Sequence, residues 1–416
     1  MPLVDRIMGG FLMLKKTGLY IAILSLVISL TACNQNQINK SAQGITDTEV
    51  LIANCATTSG EFAISGIPFI AGIQAYLDKV NADGGIDGRI ITFLHQDDEH
   101  DPNKGKACIE HMVETEKVFA IVGHFGRSVI STTLEDLKNY GIPSVYFAAG
   151  IGQLYNSNAT GRDKGIMPVQ PIFITEGQLM IARAVGYFKA QKIGIIHSDD
   201  DVGKDLFSGA KSMADELGVQ LVDAQVISEA TDVSTAISIM KDANVDFIIG
   251  AAIQNTISTI ISEMVKQSVN VDLITSYVNV SPLIVQSFMN DTKGKFNVYG
   301  NGWISFEGDR MHSLTEYAVA LPEYADNAYA LTGWIAAHFF IEGLRRLKGQ
   351  EIITWDGYIE AMESDPIQNP FGGFVDFKGG KRIGTQEMNL LKVNPNEPTL
   401  WEIVDELRSI DDLLGR

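Results

Sequence analysis

The segment "KIGIIHSDDDVGKDL" (192–206) runs from an apolar strand through an acidic loop into the start of a helix. The same order of strand and helix occurs upstream, from "EVLIANCA" (49–56) to "IPSVYFAA" (142–149), and continues downstream to "VDLITSYV" (271–278). Apolar strands that alternate with amphipathic helices predict a parallel sheet covered by helices on both faces. Because the alternation restarts after residues 167–177, we expect an α/β protein with two Rossmann-like lobes and a cleft between them.

The N-terminal segment is predicted to be the signal peptide of a lipoprotein. Lys15 and Lys16 precede an apolar run that ends at Cys33, and this run is short for a membrane span. Small residues before the cysteine resemble a bacterial lipobox, so residues 1–32 would be removed and Cys33 would carry the lipid. The polar residues that follow predict a flexible tether over 33–45. We therefore expect the protein on the periplasmic or cell-surface side, attached to the membrane only through the lipid on Cys33.

The composition limits the partners and the number of lobes. The chain has 416 residues, 45% of them hydrophobic, and a formal net charge of −19. Loss of residues 1–32 removes Arg6, Lys15, Lys16 and Asp5, which takes the net charge from −19 to −21. Such an acidic body argues against nucleic acid and anionic lipid as partners. The remaining length exceeds what one hydrophobic core usually organises, which again favours two lobes.

Two cysteines remain besides Cys33, and the sequence leaves their state open. Cys55 ends a predicted strand, and Cys108 lies in the first turns of a predicted helix. Both places fall at the same edge of the predicted sheet, which allows a disulfide in an exported protein. Spacing alone does not separate a disulfide from two buried free thiols.

Metal, nucleotide and nucleophilic chemistry are not supported by the residues. The acidic turn "HQDDEHDP" (95–102) alternates its side chains along an extended chain, so they do not converge as zinc or calcium ligands must. The turn "IVGHFGRSVIS" (121–131) lacks the Lys-Ser/Thr ending of a phosphate-binding loop. No G-x-S-x-G elbow is present, and Ser128 has only His124 nearby as a base. The sequence predicts no catalytic site, no metal site and no cofactor.

Six segments in a fixed order connect the chain to a known family. They are "GIQAYLDKVNADGGIDGR" (72–89), "QDDEHDP" (96–102), "FAIVGHFGRS" (119–128), "KIGIIHSDDDVGKDL" (192–206), "DNAYALTGWIAAHFFIEGL" (326–344) and "PFGGFVDFKGG" (370–380). In this order they resemble the type I periplasmic solute-binding proteins, in particular the branched-chain amino-acid-binding family of transport receptors. The resemblance covers roughly residues 47–400.

The resemblance implies two lobes joined by a three-segment hinge that closes on a small molecule. The implied boundaries are 46–170 plus 303–368 for lobe I, 171–302 plus 369–404 for lobe II, and 405–416 for a C-terminal tail. Local patterns add two predictions near the C-terminus. "FGGFVDFKGGKRIG" (371–384) predicts a hairpin with its turn at Gly379 and Gly380, and "LWEIVDELRSIDDLLGR" (400–416) predicts a terminal helix.

The resemblance also places the ligand site, and there the chain departs from the family. In lobe I, the serine that helps hold the charged groups of an amino-acid ligand falls at Arg127, with Ser128 next to it. A threonine of the family falls at Gly150. Arg127 offers a fork of donors that suits a carboxylate. The alternative for Arg127 is an exposed side chain or an ion pair with Glu61 or Glu135.

In lobe II, a tyrosine of the family becomes Val202, and a second tyrosine falls near Ile253. We expect Gly150, Val202 and Ile253 to widen the cleft or to make it apolar. The acid that neutralises the ammonium group of an amino acid would lie near Val278 and Asn279, where no carboxylate is present. A buried ammonium group without a partner would cost several kcal/mol.

The candidate ligand-binding residues lie in the loops after the strands of both lobes. They are Ser59, Glu61, Arg127, Ser128, Ala149, Gly150, Val202, Ile253, Gln254, Tyr277 and Asn279. Aromatic candidates near these loops are Phe62, Tyr146, Tyr155 and Tyr277. Together these residues favour a carboxylate or amide with an apolar body over an α-amino acid.

The expected function is that of a solute-binding receptor of an ABC importer. It would be a monomer without enzymatic activity that delivers a small molecule to permease subunits. The alternative is a regulatory or sensory lipoprotein of the same fold that acts through protein contacts. Polar loop residues that face one cavity would favour transport, and a filled cleft would favour the regulator.

Overall fold

The computed structural model describes residues 40–416. The predicted signal peptide, Cys33 and the first part of the predicted tether lie outside these residues. Within 40–416, no helix is both long and apolar enough to cross a membrane.

The first lobe is built on a five-stranded sheet in which all neighbouring strands are parallel. Its strands are β1 (Glu49–Ala56), β2 (Ile90–Asp97), β3 (Ala120–Phe125), β4 (Ser144–Ala148) and β5 (Ile166–Met167), in the spatial order β2-β1-β3-β4-β5. The helices between them are α1 (Ala63–Ala82), α2 (Pro102–Glu110), which continues as a π turn over His111–Thr115, and α3 (Arg127–Tyr140). The central strand β3 is buried along its whole length, as expected for a parallel sheet with both faces covered.

The second lobe repeats this architecture. Its first strands are β6 (Ile193–Ser198), β7 (Leu221–Val226), β8 (Phe247–Ala251), β9 (Leu273–Thr275) and β10 (Val298–Gly302), in the spatial order β10-β9-β8-β6-β7. Its helices are α4 (Phe173–Gly186), α5 (Asp201–Leu217), α6 (Ser234–Ala243), α7 (Asn255–Lys266), α8 (Pro282–Gln286) and α9 (Met289–Thr292). All pairs among these five strands are parallel, so their carboxyl ends share one edge of the sheet.

After β10 the chain returns to the first lobe. This part contains α10 (Arg310–Ala320), α11 (Ala328–Arg346), α12 (Trp355–Ser364) and the short antiparallel pair β11 (Ile367–Gln368) and β12 (Phe374–Val375). Two glycines let α11 pack closely on α1. A Cβ atom at Gly72 would lie 1.9 Å from the carbonyl oxygen of Ala330, and one at Gly333 would lie 1.9 Å from that of Phe69.

The chain then completes the sheet of the second lobe. β13 (Met388–Val393) pairs antiparallel with β10, and β14 (Trp401–Arg408) pairs antiparallel with β13. The last helix, α13 (Ile410–Leu414), packs against α4. The polypeptide therefore passes between the two lobes three times.

The predicted tether ends earlier than residue 45. The amide of Ala42 donates to the carbonyl oxygen of Ile353 over 2.8 Å, and Gln43 Nε2 donates to the carbonyl oxygens of Val113 and Val118 over 3.1 and 3.0 Å. The side chain of Gln43 thus provides a hydrogen-bond donor for one carbonyl group in the π turn and for one shortly after it. Polar composition alone predicted a flexible segment because it does not reveal such long-range acceptors.

The residues predicted as a C-terminal tail, 405–416, are part of the folded second lobe. Residues 405–408 belong to β14, and Leu413 is only 6% exposed. Asp405 forms an ion pair with the buried Arg183 of α4 over 3.0 Å, which fixes the strand to the second lobe. The terminal helix predicted over 400–416 is a strand followed by the short α13.

The hairpin predicted over 371–384 forms elsewhere. Its strands are β11 and β12, so the turn covers residues 369–373 rather than Gly379 and Gly380. The side chain of Asn369 accepts the amide hydrogen of Phe371 over 3.0 Å and supports the tighter turn. Gly380 instead lies against Ala159, where a Cβ atom would come within 2.4 Å of the carbonyl oxygen.

Cys55 and Cys108 are joined in a disulfide. Their Cα atoms lie 6.1 Å apart, and both residues are fully buried. The bond ties the end of β1 to α2, directly beneath the loops at the carboxyl edge of the sheet. The structure thus selects the disulfide over two free thiols.

We expect the disulfide to stabilise the first lobe. Closing a loop across a sequence separation of 53 residues constrains the unfolded chain and contributes about 4 kcal/mol. Urea unfolding with and without dithiothreitol should show this loss in the wild type. The double variant Cys55→Ala/Cys108→Ala should be insensitive to the reductant. An unchanged unfolding midpoint of the wild type under reduction would contradict the expectation.

Leu413→Ala should destabilise the second lobe by about 2–3 kcal/mol, because it removes a buried side chain from the contact between α13 and α4. Leu283→Ala is the matched control, since Leu283 is 76% exposed. Denaturant unfolding of both variants measures the difference. Equal stability of the two variants would show that the last residues do not belong to the folded lobe.

Candidate functional site

The candidate site lies where the carboxyl edges of the two sheets meet. The loops after β1, β3 and β4 form the first wall, and the loops after β6, β8 and β9 form the second wall. Two hydrogen bonds join the loop after β4 to helices of the second lobe: Gly152 N donates to Asp205 Oδ2 of α5 over 2.6 Å, and Phe173 N at the start of α4 donates to the carbonyl oxygen of Gly150 over 2.8 Å. Open parallel sheets bind ligands at this edge, so a molecule held here would touch both lobes.

The loop after β1 is held by the acidic turn that follows β2. Thr57 Oγ1 donates to Asp98 Oδ1 over 2.8 Å, and Thr58 N donates to Asp97 Oδ1 over 2.9 Å. Burial acts to raise the pKa of Asp97, but hydrogen bonds from the Ser59 hydroxyl and from two backbone amides hold it below its usual value. The acidic turn therefore holds the loop that carries Ser59.

Arg127 begins α3 at the mouth of the cleft, and its side chain is exposed. The residue before it, Gly126, has a φ of 92°, and no side chain caps the helix. Glu135 forms an ion pair with Lys138 over 2.7 Å rather than with Arg127. Glu61 is exposed, and within residues 40–416 no acid forms an ion pair with Arg127.

Ser128 and His100 lie beside Arg127. His100 Nε2 is 3.4 Å from Ser128 Oγ, and the imidazole stacks on Phe62 with ring centroids 4.0 Å apart. A Cβ atom at Gly126 would lie 3.0 Å from His100 Nδ1, so the glycine lets the ring approach the start of α3. The sequence does not indicate His100 as a site residue, because the alternation of side chains in the acidic turn argues only against a metal site. The contact to Phe62 is not visible in the sequence.

Asp200 faces Arg127 from the second lobe. Its Oδ1 accepts hydrogen bonds from Gly203 N over 2.9 Å and Ser198 Oγ over 2.8 Å, and its Oδ2 accepts one from Ser228 Oγ over 2.9 Å. Burial acts to raise the pKa of Asp200, but these hydrogen bonds and the positive charge of Arg127 hold it below its usual value. Both carboxylate oxygens of Asp200 therefore already accept hydrogen bonds from their own lobe.

Gly150 does not widen the cleft, contrary to expectation. A Cβ atom there would lie 2.6 Å from the carbonyl oxygen of Pro171 and 3.0 Å from the hydroxyl oxygen of Tyr277. Tyr277 stacks on Phe173 with ring centroids 6.0 Å apart, and it occupies the space that a larger residue at 150 would take. Burial raises the pKa of Tyr277 well above 10, so the phenol is neutral. Ala149, next in the chain, is half-buried.

Three other candidates lie within or against the cores of the lobes. Val202 is 1% exposed and packs in the core of the second lobe, and Ile253 is half-buried against the same core. Val202 packs with buried residues of the sheet such as Ile193 and Ile195. Tyr146 is fully buried in the first lobe beside Phe69. Val202 and Tyr146 therefore offer no surface to a ligand.

Tyr155 is half-buried, and its hydroxyl accepts a hydrogen bond from Gln178 over 3.5 Å.

Asn279 is a structural residue of the second wall. Its Nδ2 donates to the carbonyl oxygen of Ala252 over 2.8 Å and to Thr275 Oγ1 over 2.7 Å, and its Oδ1 accepts from Gln254 N over 3.0 Å. These bonds hold Gln254 at a φ of 54°, with its side chain exposed at the start of α7. Gln254 is free to contact a ligand, whereas all polar atoms of the Asn279 side chain have partners.

Glu176 is a buried acid behind the second wall that the sequence did not indicate. It is fully buried on α4, and burial raises its pKa to about 7 although Ser276, Tyr277 and Asn301 donate hydrogen bonds to it. Nothing in "FITEGQ" (173–178) distinguishes this glutamate from an exposed one. Its burial depends on contacts with residues 100 or more positions away.

His124 has a structural role rather than a catalytic one. Its Nε2 lies 2.7 Å from Thr133 Oγ1 and its Nδ1 lies 3.1 Å from the carbonyl oxygen of Cys55. Burial lowers the pKa of His124 to about 4, so it is neutral. Across residues 40–416, no group of three or more His, Cys, Asp or Glu side chains is placed to hold a metal ion.

Comparison with known proteins gives a family match over most of the chain. A family model described as "Periplasmic binding protein" matches residues 49–398. "Leu/Ile/Val-binding protein homolog 7" of Brucella abortus (strain 2308) is 23% identical over 374 residues, which cover 85% of this chain and 91% of that protein. "Amino acid binding protein" of Pseudomonas aeruginosa is 25% identical over 174 residues, which cover 42% of this chain and 46% of that protein. The chain thus matches less than half the length of the Pseudomonas protein.

Solved structures share the fold at low sequence identity. A fatty acid ABC transporter substrate-binding protein from Thermomonospora curvata has a TM-score of 0.66 and 18% identity, with 91% of this chain and 96% of that chain covered. A branched-chain amino acid ABC transporter protein from Thermus thermophilus with bound valine has a TM-score of 0.67 and 13% identity, with 89% and 100% covered. The family expected from the six segments is confirmed. The protein therefore belongs to the type I periplasmic binding proteins of the branched-chain amino-acid-binding family, which are solute-binding receptors and not enzymes.

Proposed function

We propose that the protein is the extracytoplasmic receptor of an ABC importer and that its ligand is a carboxylate or amide with an apolar body. The observation that carries the ligand class is Arg127, an exposed guanidinium at the uncapped start of α3. Its forked donors and the nearby helix start both favour a negatively charged or strongly polar oxygen. The hydroxyl of Ser128 lies next to it.

The second wall argues against an α-amino acid. The position where the family holds the ammonium group is taken by Asn279, whose polar atoms are all bonded within the lobe. The oxygens of Asp200 accept three hydrogen bonds from their own lobe, and Asp205 accepts the amide of Gly152. An ammonium group buried here would lack a free carboxylate, which costs several kcal/mol.

Aromatic rings support an apolar body for the ligand. Phe62 is 37% exposed on the first wall, and Tyr277 stacks on Phe173 at the second wall. Apolar surface of the ligand that is buried against these rings would contribute roughly 25 cal/mol per Å² to the free energy of binding. The Thermomonospora protein is described as a fatty acid receptor, and the Thermus protein holds valine. Arg127 together with Asn279 favours the fatty acid type of ligand for this chain.

The proposal includes a lipid anchor at Cys33, a monomeric receptor and a permease that accepts the ligand. The rival function, a regulatory lipoprotein of the same fold, would use a filled cleft. Arg127, Ser128 and Gln254 are exposed at the cleft, and this favours transport. Asn279 does not add to that argument because its side chain is bonded within the second lobe.

Arg127→Ala should strongly weaken the response to carboxylates. We expect phenylacetate and octanoate to raise the melting temperature of the wild type, and phenylacetamide to do so less. Loss of a charge-assisted hydrogen-bonded pair should weaken phenylacetate binding by about 10- to 100-fold. Differential scanning fluorimetry followed by calorimetric titration measures both effects. Lys348→Ala is the control, because it removes an exposed cation of the first lobe far from the cleft.

Two results of this screen would contradict the proposed ligand class. Stabilisation by leucine or valine at similar concentration, unchanged in Arg127→Ala, would show that the protein binds amino acids without using this arginine. Failure of every carboxylate, amide and amino acid to stabilise the wild type would favour the regulatory function instead.

A further inference from the structure

Glu176 lies at a junction between the cleft and one of the connections between the lobes. It sits in the first turn of α4, directly after the first passage of the chain from lobe I to lobe II. Its Oε2 accepts the hydroxyl hydrogen of Ser276 over 2.6 Å, and its Oε1 accepts the amide of Tyr277 over 2.8 Å and Asn301 Nδ2 over 3.2 Å. Asn301 lies near the end of β10, just before the second passage.

These hydrogen bonds connect Glu176 to a wall of the ligand site. Ser276 and Tyr277 form the loop after β9, and the ring of Tyr277 closes on Gly150 of the first lobe. A change in the hydrogen bonds of Glu176 acts on the backbone amide of Tyr277 and so on the position of its ring. Glu176 itself is fully buried and does not reach the cleft.

Asn301 provides a partner for a protonated Glu176. Its Nδ2 donates to the carboxylate, while its Oδ1 is buried and has no hydrogen-bond partner within residues 40–416. Rotation of this amide by a half-turn would present Oδ1 to the carboxyl group. The oxygen would then accept a hydrogen bond from a protonated Glu176. The Asn301 amide can thus offer Glu176 a donor when the carboxyl group is ionised and an acceptor when it is protonated, while the other amide atom lacks a partner in each state.

Few charged groups act on Glu176. The Tyr277 phenol feels the charge of Glu176, but its hydroxyl donates to the carbonyl oxygen of Pro171 and stays neutral because burial raises its pKa well above 10. On α4 itself, Arg183 is paired with Asp405 of β14. From α5, Asp205 is bonded to Gly152 of the first lobe. The protonation of Glu176 is therefore governed mainly by burial and by its three hydrogen bonds.

We propose that Glu176 is a positioning residue for the Tyr277 wall and that it takes up a proton when an anionic ligand enters the cleft. The proposal rests on the proposed carboxylate ligand. An anion beside Tyr277 adds a like charge and excludes water, and both effects favour the neutral form of the buried carboxyl group. The proton comes from solvent and is retained on Glu176 while the ligand is bound.

The direction of the pH effect follows from burial. Burial raises the pKa of Glu176 from 4.5 to about 7. A carboxyl group with a raised pKa stabilises the folded protein fully below 4.5, and this contribution is lost as the pH rises through about 7. If an anion raises that pKa further, its affinity must also fall as the pH rises through the same range.

The first measurement uses the protein without ligand. Melting temperatures of the wild type, Glu176→Gln and Glu397→Gln are compared between about pH 5 and about pH 8. The wild type should lose at least about 3 °C relative to Glu176→Gln over this range. Glu397→Gln should follow the wild type because Glu397 is exposed. Parallel pH profiles for wild type and Glu176→Gln would overturn the proposal.

A second measurement does not depend on the folding of Glu176→Gln. The infrared band of a protonated, buried carboxyl group should be present in the wild type and should disappear near pH 7. Its absence throughout the range above pH 4.5 would overturn the proposal, because Glu176 would then be ionised like an exposed acid.

The third measurement tests the coupling to ligand. Phenylacetate and phenylacetamide are titrated into the wild type in two buffers of different ionisation enthalpy near pH 7. Phenylacetate should be bound with uptake of a fraction of a proton, and its Kd should rise about 3- to 10-fold from about pH 6 to about pH 8. Phenylacetamide should show neither effect. In Glu176→Gln the pH dependence of phenylacetate binding should vanish.

The two proposals fail in different ways. If phenylacetate binds through Arg127 but Glu176→Gln keeps the same proton uptake, the role of Glu176 is refuted and the proposed function stands. If no carboxylate binds to the wild type, the proposed function fails and the coupling fails with it. In that case the pH profile without ligand still shows whether the buried carboxyl group titrates.

Discussion

The buried amide of Asn279 is the contact on which the second wall of the cleft depends. It joins the loops after β8 and β9 by bonding two neighbouring oxygens and the amide of Gln254. A buried polar atom left without a partner would cost about 1–3 kcal/mol, so these loops are held as one unit. That unit fixes Tyr277 against Gly150 and fills the place where an ammonium-binding acid would lie. The side chain of Asn279 therefore determines both the shape of the second wall and its lack of a free negative charge.

The two walls differ in how their charges are used. On the second wall, the charge of Asp200 is shared among three donors of its own lobe. On the first wall, Arg127 has no acid in ion-pair contact within the described chain. A ligand carboxylate with free lone pairs can form two parallel bonds to the guanidinium, which Asp200 cannot do without giving up its helix cap. Under the proposed function, a bound carboxylate would therefore replace Asp200 as the negative charge that attracts Arg127.

Local periodicity predicted the alternating strands and helices and the position of the cleft, because these depend on residues a few positions apart. Contacts between distant segments could not be predicted in the same way. The sequence predicts a helix where β14 begins at Trp401, because the pairing of this strand with β13 and its ion pair to Arg183 leave no local pattern. Val202 was placed in the cleft by resemblance, although its helix turns it into the core. The burial of Glu176 likewise depends on residues far along the chain.

The strongly acidic composition does not exclude an anionic ligand. At physiological ionic strength charges are screened beyond about 8 Å, so most surface carboxylates act weakly on a molecule inside the cleft. In the proposed complex Arg127 would act at contact distance, and the uncapped start of α3 would add to its attraction. The net charge of −19 should therefore slow the approach of an anion more than it weakens binding. A small hydrophilic anion would gain only the contact with Arg127, whereas one with an apolar body also buries surface against the rings of Phe62 and Tyr277. Under the proposed function, the arginine would select the charge of the ligand, and the aromatic rings would select its class.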